Sequence, residues 1–253
     1  MVTYDFSGKT AIITGGGRGI GRAVALKLAN CGAKVVLASR TAVELDGVVA
    51  EIKAGGGEAV AQPTDLMLNE QINALVETAM KAYGRIDILI NNAARSFMRP
   101  LMDLREDGWD KIFGVNCKAV FLLSRAAAKI MAEKGGGRII NISTVGAVRG
   151  GAGMAVYHTS KAALNMLTKC MAVEWAPLNV NVNAVGPGLT KTEFSRALWE
   201  NPEIEKMISA KIPKGRLANP EDIVGAALFL CSEASDYITG ETIYVDGGTL
   251  ANY

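Results

Sequence analysis

The segment Thr14-Gly15-Gly16-Gly17-Arg18-Gly19-Ile20-Gly21 decides the fold of this 253-residue chain. It joins a short β-like run to the helical pattern that starts at Gly21. Glycines at such a junction allow a tight turn and let backbone N–H groups approach a pyrophosphate at the helix N-terminus. The spacing Gly15-x-x-x-Gly19-x-Gly21 differs from the common G-x-G-x-x-G, and a glycine-rich turn can serve structure alone. Because this cluster lies between a strand and a helix, it favours a dinucleotide site.

Short β-like runs alternate with helical patterns along the whole chain. Most of the runs are continuously apolar, which is typical of strands covered on both faces. The candidate strands are Thr10–Thr14, Lys34–Ser39, Ala59–Pro63, Asp87–Asn91, Arg138–Ser143, Val180–Val185 and Thr242–Val245. The candidate helices are Gly21–Ala29, Glu70–Tyr83, Trp109–Glu133, Tyr157–Ala176 and Glu221–Cys231. The pattern predicts an α/β fold over residues 1–253: a single-domain, doubly wound Rossmann fold with a seven-stranded parallel sheet flanked by helices on both faces.

One segment, residues 188–217, interrupts the alternation. It contains two prolines and has weak periodicity. In an enzyme, such a segment is a candidate for a substrate-covering lid, and the alternative is a pair of surface helices. Phe194, Leu198 and Trp199 give it an apolar side that suits a cover over the site or an interface.

The composition argues against several classes of function. Hydrophobic residues make up 49% and charged residues 21%, and the net charge of +2 is spread without a basic block, so we expect no nucleic-acid partner. Four scattered cysteines and one histidine form no zinc pattern, and we expect no metal. No apolar run is long enough for a membrane span, and the N-terminus does not resemble a signal peptide. We therefore expect a cytoplasmic protein with a small-molecule substrate and no membrane partner.

The end of the second strand bears on the choice of dinucleotide. Dinucleotide folds that prefer NAD usually carry an acid there, which binds the ribose 2′-hydroxyl. This chain has Ser39 and Arg40 instead, and the Arg40 guanidinium can pair with a 2′-phosphate. Arg18, inside the glycine cluster, adds a second positive charge. The residues favour NADP(H) with NAD(H) possible, and the alternative for Arg40 is a solvated strand-end residue.

Tyr157 and Lys161 lie one turn apart on one face of a predicted helix. A free phenol has a pKa of about 10 and is a poor base at neutral pH. A neighbouring ammonium, together with a positively charged nicotinamide ring, lowers this pKa. By itself such a pair is more often part of a helix surface, but the glycine cluster upstream favours catalysis. The single histidine, His158, is one helical step away, so we expect it to point elsewhere in a packing or surface role.

Short motifs are distributed along the whole chain. They are TGGGRGIG at 14–21, Asp65, Asn91-Asn92-Ala93-Ala94, Asn116 in GVNCKA, NISTVGA at 141–147, YHTSK at 157–161, Pro187-Gly188, Ile238-Thr239-Gly240 and Asp246-Gly247-Gly248. Together they resemble the short-chain dehydrogenase/reductase family over essentially the whole length. The pattern is most similar to 3-oxoacyl-thioester reductases and to glucose- or gluconate-type dehydrogenases.

The resemblance implies reversible hydride transfer between NADP(H) and a secondary alcohol or ketone. A non-catalytic dinucleotide sensor or scaffold is the competing interpretation, and the intact Asn116, Tyr157 and Lys161 argue against it. Tyr157 would be the general acid/base, Lys161 would hold the nicotinamide ribose and lower the tyrosine pKa, and Asn116 would anchor a water. The family's catalytic serine position is occupied by Thr144, with Ser143 beside it. Adjacent strand residues point to opposite faces, so we expect only one of these two hydroxyls to face the substrate. Because Thr144 occupies the family's serine position, we predict that Thr144 supplies this hydroxyl and keep Ser143 as the rival.

The resemblance also implies the set of dinucleotide-binding residues. These are Gly15, Gly17, Arg18, Gly19, Ile20, Gly21, Ser39, Arg40, Asp65, Leu66, Asn92, Ala93, Tyr157, Lys161, Pro187, Gly188, Thr190 and Thr192. Asp65 and Leu66 would contact the adenine, and Thr190 and Thr192 would hold the nicotinamide amide and phosphate. Ala94 replaces the usual glycine, which would crowd the cofactor mildly.

Two further expectations concern the rim of the site and the assembly. Arg95 and Arg149 fall in loops that should rim the pocket, where they would attract an acidic or acyl-thioester substrate or remain solvated loop charges. The resemblance implies a homotetramer, built partly on the helices Trp109–Glu133 and Tyr157–Ala176 and on the C-terminal strand.

Overall fold

A computed structural model describes residues 4–252, so the predicted domain limits, 1 and 253, lie outside the described residues. Seven strands form one sheet in the order β3-β2-β1-β4-β5-β6-β7, and every neighbouring pair is parallel. The strands are β1 Thr10–Thr14, β2 Lys34–Ser39, β3 Glu58–Pro63, β4 Ile88–Asn91, β5 Gly137–Ile142, β6 Val180–Pro187 and β7 Thr242–Val245. The doubly wound, seven-stranded parallel sheet predicted from the sequence is confirmed.

The α-helices connect the strands and cover the sheet. They are α1 Gly19–Asn30, α2 Ala42–Ala54, α3 Asn69–Tyr83, α4 Glu106–Phe113, α5 Val120–Glu133, α6 Ala155–Trp175, α7 Pro202–Ser209 and α8 Pro220–Cys231. Among residues 4–252, no helix combines the length and the apolarity needed to cross a membrane. The same residues contain no group of three or more His, Cys, Asp or Glu side chains arranged to hold a metal ion.

Two hydrophobic layers lie on opposite faces of the sheet. Successive strand residues point to opposite faces, so Ile13 packs with α1, α2 and α8, whereas Ile12 packs with α3, α5 and α6. Both isoleucines are completely buried. Continuous apolar strands are therefore what this chain needs to cover both faces, and the carboxyl edge of the sheet is left to the loops.

The helix α2 at Ala42–Ala54 is absent from the helices predicted above. Its sequence contains Gly47 and several valines, which have weak helix propensity. Leu45, Val48 and Ile52 nevertheless are buried on one face of the helix, against the sheet. Tertiary packing stabilises this helix where local propensity is weak.

The predicted helix Trp109–Glu133 is helical but not uniform. It begins at Glu106, and a π-helical turn at Gly114–Ala119 separates α4 from α5. The wide turn contains Asn116, whose buried side chain hydrogen-bonds to residues outside this helix. Such π turns accommodate one additional residue in the helical hydrogen-bonding pattern and frequently occur at functional sites.

Candidate active site

A cleft of about 960 Å³ opens at the carboxyl edge of the sheet. It is lined by the loops that follow β1, β4, β5 and β6, together with the ends of β2 and β3. The strand order reverses between β1 and β4, which is where open α/β sheets bind their ligands. The cleft therefore lies where the topology predicts a ligand.

The glycine turn is fixed by hydrogen bonds to the loop after β4. The Asn92 side-chain amide donates to the carbonyls of Thr14 (3.0 Å) and Gly15 (3.2 Å). The Thr14 hydroxyl oxygen accepts from the backbone N–H groups of Asn92 and Ala93 at 3.0 and 3.1 Å. A Cβ at Gly21 would collide with the Gly15 carbonyl and the Asn92 amide. The turn thus exposes backbone N–H groups, without side chains in the way, at the N-terminus of α1. Such a site fits a pyrophosphate group.

The end of the cleft near β2 carries two arginines in different environments. Arg40 is exposed, lines the cleft and has no ion-pair partner among residues 4–252. Arg18 is paired with Glu44 at 3.3 Å, with the two side chains 61% and 34% exposed. Glu44 belongs to α2 and packs against Gly17. Sequence reasoning missed Glu44 because it did not predict α2, and no local motif marks this residue.

Tyr157 and Lys161 are buried one turn apart at the start of α6. The Lys161 ammonium donates to the carbonyl of Ile142 at 2.6 Å and lies 6.0 Å from the centre of the Tyr157 ring. Burial lowers the pKa of Lys161 to about 8 and raises the pKa of the Tyr157 phenol above its usual value. The lysine was predicted to lower the pKa of Tyr157, but the protein groups by themselves do not do so. Desolvation of the phenol dominates, and the Lys161 ammonium is hydrogen-bonded to a carbonyl. The effect of a bound nicotinamide ring on this pKa stays a prediction.

The hydroxyls of Ser143 and Thr144, at the end of β5, differ in their partners. Thr144 is partly buried, and its hydroxyl oxygen accepts from the backbone N–H of Gly146 at 3.3 Å. Ser143 is 3% exposed, and its hydroxyl oxygen is buried with no hydrogen-bond partner in the described part of the chain. Both residues line the cleft. The Thr144 proton is free to donate to a ligand, and its side chain is the more accessible of the two.

Asn116 connects the loop after β4 to α6. Its carbonyl oxygen accepts from the backbone N–H of Arg95 at 2.8 Å, and its amide donates to the Arg95 carbonyl at 3.0 Å and to the Ser160 hydroxyl at 2.9 Å. The Ser160 hydroxyl donates to the backbone carbonyl of Tyr157 at 2.7 Å. Asn116 is completely buried and does not line the cleft, so it positions neighbouring elements. The water-anchoring role implied by the resemblance stays a prediction.

His158 is in the wall of the cleft, so the expectation that it points elsewhere is wrong. Its ring centre is 5.9 Å from that of Tyr157. The imidazole packs so closely on Gly146 and Gly151 that a Cβ at either glycine would overlap it. Burial lowers the pKa of His158, and the charge of Arg149 lowers it further. The expected packing role is present, because the loop from Gly146 to Gly151 packs on the ring where it lines the cleft.

The segment 188–217 covers one side of the cleft. A short 3-10 helix at Glu193–Leu198 brings Phe194 to 5.9 Å from the Tyr157 ring, between ring centres. Leu198 also lines the cleft, whereas Trp199 does not and instead donates from its indole to the Thr192 carbonyl at 3.0 Å. The segment also contains the surface helix α7, and its role as a substrate lid stays a prediction.

Most of the residues predicted for the site meet in this cleft. Those that line it are Gly15, Gly17, Arg18, Gly19, Ile20, Ser39, Arg40, Asp65, Leu66, Asn92, Ala93, Thr144, Tyr157, Lys161, Pro187, Gly188, Thr190 and Thr192. Gly21 and Asn116 lie behind the surface of the cleft. Arg95 and Arg149 line it as expected for rim residues, and so do Lys211, Thr249 and Asn252, which no sequence motif indicated.

Comparison with known proteins places this architecture in a family. Dehydrogenase/reductase SDR family member 4 from Bos taurus is 44% identical over 245 residues, which cover 96% of this chain and 88% of that protein. The chain belongs to the short-chain dehydrogenase/reductase family. The family profile described as Enoyl-(Acyl carrier protein) reductase matches residues 15–249. The resemblance drawn from the motifs is confirmed, and this short-chain dehydrogenase/reductase is an oxidoreductase that acts on CH–OH groups.

Other relatives differ in what they act on. The 5-keto-D-gluconate 5-reductase of Escherichia coli K12 is 36% identical over 98% of this chain and 97% of its own length. A gluconate 5-dehydrogenase from Burkholderia cenocepacia, in complex with NADP and tartrate, is 34% identical with a TM-score of 0.94 and covers 99% of this short-chain dehydrogenase/reductase and 98% of that chain. A 7α-hydroxysteroid dehydrogenase, in complex with NADH and 7-oxo glycochenodeoxycholic acid, is 36% identical with a TM-score of 0.94, covering 97% and 96%.

Proposed function

We propose that this protein catalyses reversible hydride transfer between NADP(H) and a secondary alcohol or ketone, with Tyr157 as the general acid/base. The observation that carries the proposal is the buried Tyr157–Lys161 pair in the same cleft as the glycine turn. A sensor or scaffold has no need of a buried phenol beside a buried ammonium. Buried ionisable groups with perturbed pKa values are typical of catalytic sites.

The residues of the cleft fit a nicotinamide dinucleotide. Gly15 has a left-handed φ of 65°, and a Cβ there would lie 2.6 Å from the Asn92 amide nitrogen, so the turn requires glycine. Backbone of this turn would hold the pyrophosphate, Asp65 and Leu66 the adenine, and Thr190 and Thr192 the nicotinamide amide and phosphate. When bound, the dinucleotide supplies the hydride for reduction of a carbonyl or accepts it from an alcohol.

The protein groups would handle the proton. In the reductive direction the Tyr157 phenol donates its proton to the carbonyl oxygen as the hydride reaches the carbonyl carbon, so that a ketone becomes an alcohol. Burial raises the pKa of this phenol and keeps it protonated, which is the state that reduction requires. The Thr144 hydroxyl donates a hydrogen bond to the same carbonyl oxygen and stabilises the charge that develops on it. In the oxidative direction Tyr157 takes the proton back.

The preference for NADP(H) over NAD(H) rests on Arg40. Its guanidinium lies at the end of β2 beside the cleft, without an acidic partner in the described chain, and can pair with a 2′-phosphate. Related structures contain NADP in one case and NADH in another. NAD(H) remains the alternative cofactor.

The decisive experiment is the Tyr157→Phe variant. Ketones should be reduced by wild type with consumption of NADPH, and Tyr157→Phe should lose essentially all turnover because it lacks the transferable proton. Dinucleotide affinity, measured by fluorescence titration, should stay nearly unchanged because the phenol acts on the substrate oxygen. Wild type that binds NADPH but reduces no ketone in a broad panel would favour the sensor interpretation. A variant that keeps substantial turnover would assign the proton transfer to another residue.

We also propose that residues 188–217 act as the substrate lid of a single catalytic domain, and that the protein forms a homotetramer. Apolar side chains exposed on the two long helices support the assembly: Trp109 and Phe121 are 40% and 37% exposed, and Met166 and Val173 are 60% and 78% exposed. Large apolar side chains exposed together mark contact surfaces. The cytoplasmic location stays a prediction.

A further inference from the structure

We infer that the substrate is an amphipathic carboxylate: a ketone, or its alcohol, with an apolar body and an anionic group that binds Arg149, with Arg95 as a second cation. This inference rests on the proposed function and names the substrate class of that same site.

Apolar side chains form a continuous share of the lining in the substrate half of the cleft, beside several polar ones. By substrate half we mean the part of the cleft formed by the loops after β4 and β5 and by residues 188–217. The apolar side chains that line it are Phe97, Met98, Val145, Met154, Phe194 and Leu198. A polyhydroxylated sugar acid would lose hydrogen bonds to water wherever its hydroxyls meet these apolar side chains, which is costly. A hydrocarbon body bearing one carbonyl fits this lining.

Arg149 contributes a cation to the wall of the cleft, near His158. It lines the cleft from the loop between Gly146 and Gly151, the two glycines that pack on the His158 ring. That ring is 5.9 Å from the Tyr157 ring, and the charge of Arg149 acts on it. The Arg149 guanidinium has neither an ion pair nor a hydrogen bond with any other residue between 4 and 252. Its donors are therefore available to a ligand.

Arg95 adds a second unpaired cation on the opposite loop. Its backbone is held at both N–H and carbonyl by Asn116, which fixes where the side chain starts. The side chain lines the cleft and also a neighbouring recess of about 210 Å³. The acidic residue Glu193 in the wall of the cleft is paired with Arg196 at 3.5 Å, so it does not neutralise these arginines. The substrate half therefore has an excess of positive charge, which attracts anions.

A carboxylate bound at this rim should contribute to affinity more than to chemistry. Arg–carboxylate pairs form strong, bidentate hydrogen bonds, but exposed pairs are weakened by water and salt. The anion takes no part in the bonds that form and break, so it binds about equally in the ground state and in the transition state. The expected effect is on the order of tenfold in kcat/KM, expressed in KM with kcat little changed.

The test compares matched ketones with and without the charge. We would measure NADPH oxidation with 7-oxooctanoate and 9-oxodecanoate, with their methyl esters, and with 5-keto-D-gluconate. Wild type should reduce at least one acid about tenfold more efficiently than its ester, and that advantage should shrink as ionic strength rises. The Arg149→Gln variant should bring the ratio of acid to ester close to one. Arg99→Gln is the matched control, because Arg99 lies in the recess but does not line the cleft, and it should keep the wild-type ratio.

The outcomes separate the two proposals. Equal efficiency with acids and esters would overturn the anionic substrate class while leaving the oxidoreductase function intact. A higher efficiency with 5-keto-D-gluconate than with the oxo acids would overturn the apolar body. An acid advantage that survives Arg149→Gln and Arg95→Gln would remove these residues from recognition. Failure to reduce any ketone would overturn the proposed function itself.

Discussion

The hydroxyl that faces the substrate can be assigned by three substitutions at adjacent positions. Thr144 is held in an extended backbone conformation, and its hydroxyl oxygen accepts from Gly146, which leaves the proton for a carbonyl oxygen. Ser143 is 3% exposed, and its buried hydroxyl has no partner in the described chain. We therefore expect Thr144→Val, Thr144→Ser and Ser143→Ala to affect the enzyme very differently.

The magnitudes can be worked from these contacts. Thr144→Val keeps the branched shape but removes the donor, and loss of one such preorganised donor lowers kcat on the order of a hundredfold or more, about 3 kcal/mol. Thr144→Ser keeps the hydroxyl and should stay within about tenfold of wild type, because only the stiffness of the branched Cβ is lost. Ser143→Ala removes a buried hydroxyl that is unpaired, so kcat should change little and the free energy of unfolding should rise by about 1 kcal/mol. In a domain of this size that raises Tm by about 2–4 °C.

Steady-state NADPH oxidation gives kcat for each variant, and thermal unfolding followed by circular dichroism gives Tm. Dinucleotide titration checks that each variant still binds the cofactor, so that a low kcat reports chemistry. A crippled Ser143→Ala beside an active Thr144→Val would refute the reasoning and assign the role to Ser143. A fall in Tm for Ser143→Ala would show that its hydroxyl has a partner after all.

The remaining predictions concern charge. Wild type should bind NADPH more tightly than NADH in fluorescence titrations, and Arg40→Asp should reverse this order; equal wild-type affinities would contradict the role of Arg40. Glu44→Gln frees Arg18 from its ion pair and should tighten NADPH binding by up to about fivefold, since an exposed ion pair is worth at most about 1 kcal/mol. The affinity for NADH should stay unchanged. Unchanged NADPH binding would mean that Arg18 does not reach the 2′-phosphate. Burial lowers the pKa of Lys161 from 10.5 in the unfolded chain to about 8 in the folded protein. Between pH 8 and pH 10.5 the unfolded chain therefore binds more protons than the folded protein, so the contribution of this lysine to the free energy of unfolding rises with pH. In urea titrations at pH 8 and pH 10, wild type should gain stability relative to Lys161→Met, and an identical pH dependence of the two proteins would contradict a buried ammonium.

The sheet could be predicted from the sequence because its strands are buried on both faces. Such strands must be continuously apolar, and this local signal does not depend on distant residues. The predicted bounds of Thr10–Thr14, Lys34–Ser39 and Thr242–Val245 agree with the structure. The glycine turn was predictable for a similar reason, since its backbone conformation requires glycine at fixed positions.

Contacts between distant parts of the chain explain the features that could not be predicted. Glu44 reaches Arg18 only because α2 folds back over the glycine turn, and α2 has weak local propensity. His158 is one helical step from Tyr157, which suggests a different direction, but the loop with Gly146 and Gly151 wraps around the ring and makes it part of the cleft wall. The orientation of the Lys161 ammonium toward Ile142 likewise depends on the neighbouring strand.

The π-helical turn fixes the number of residues that the helical stretch from Glu106 to Glu133 must contain. Gly108, Ile112, Asn116 and Val120 are all buried and recur every four residues, which in a regular α-helix overshoots a full turn by about 40° at each step. The wide turn absorbs much of this drift and keeps the four positions on one side. A chain shorter by one residue here could form an unbroken α-helix, yet the residues before the deletion would rotate by about 100° relative to those after it. Natural variation in this helix should therefore proceed by replacing residues, while gains and losses of single residues are confined to the loops.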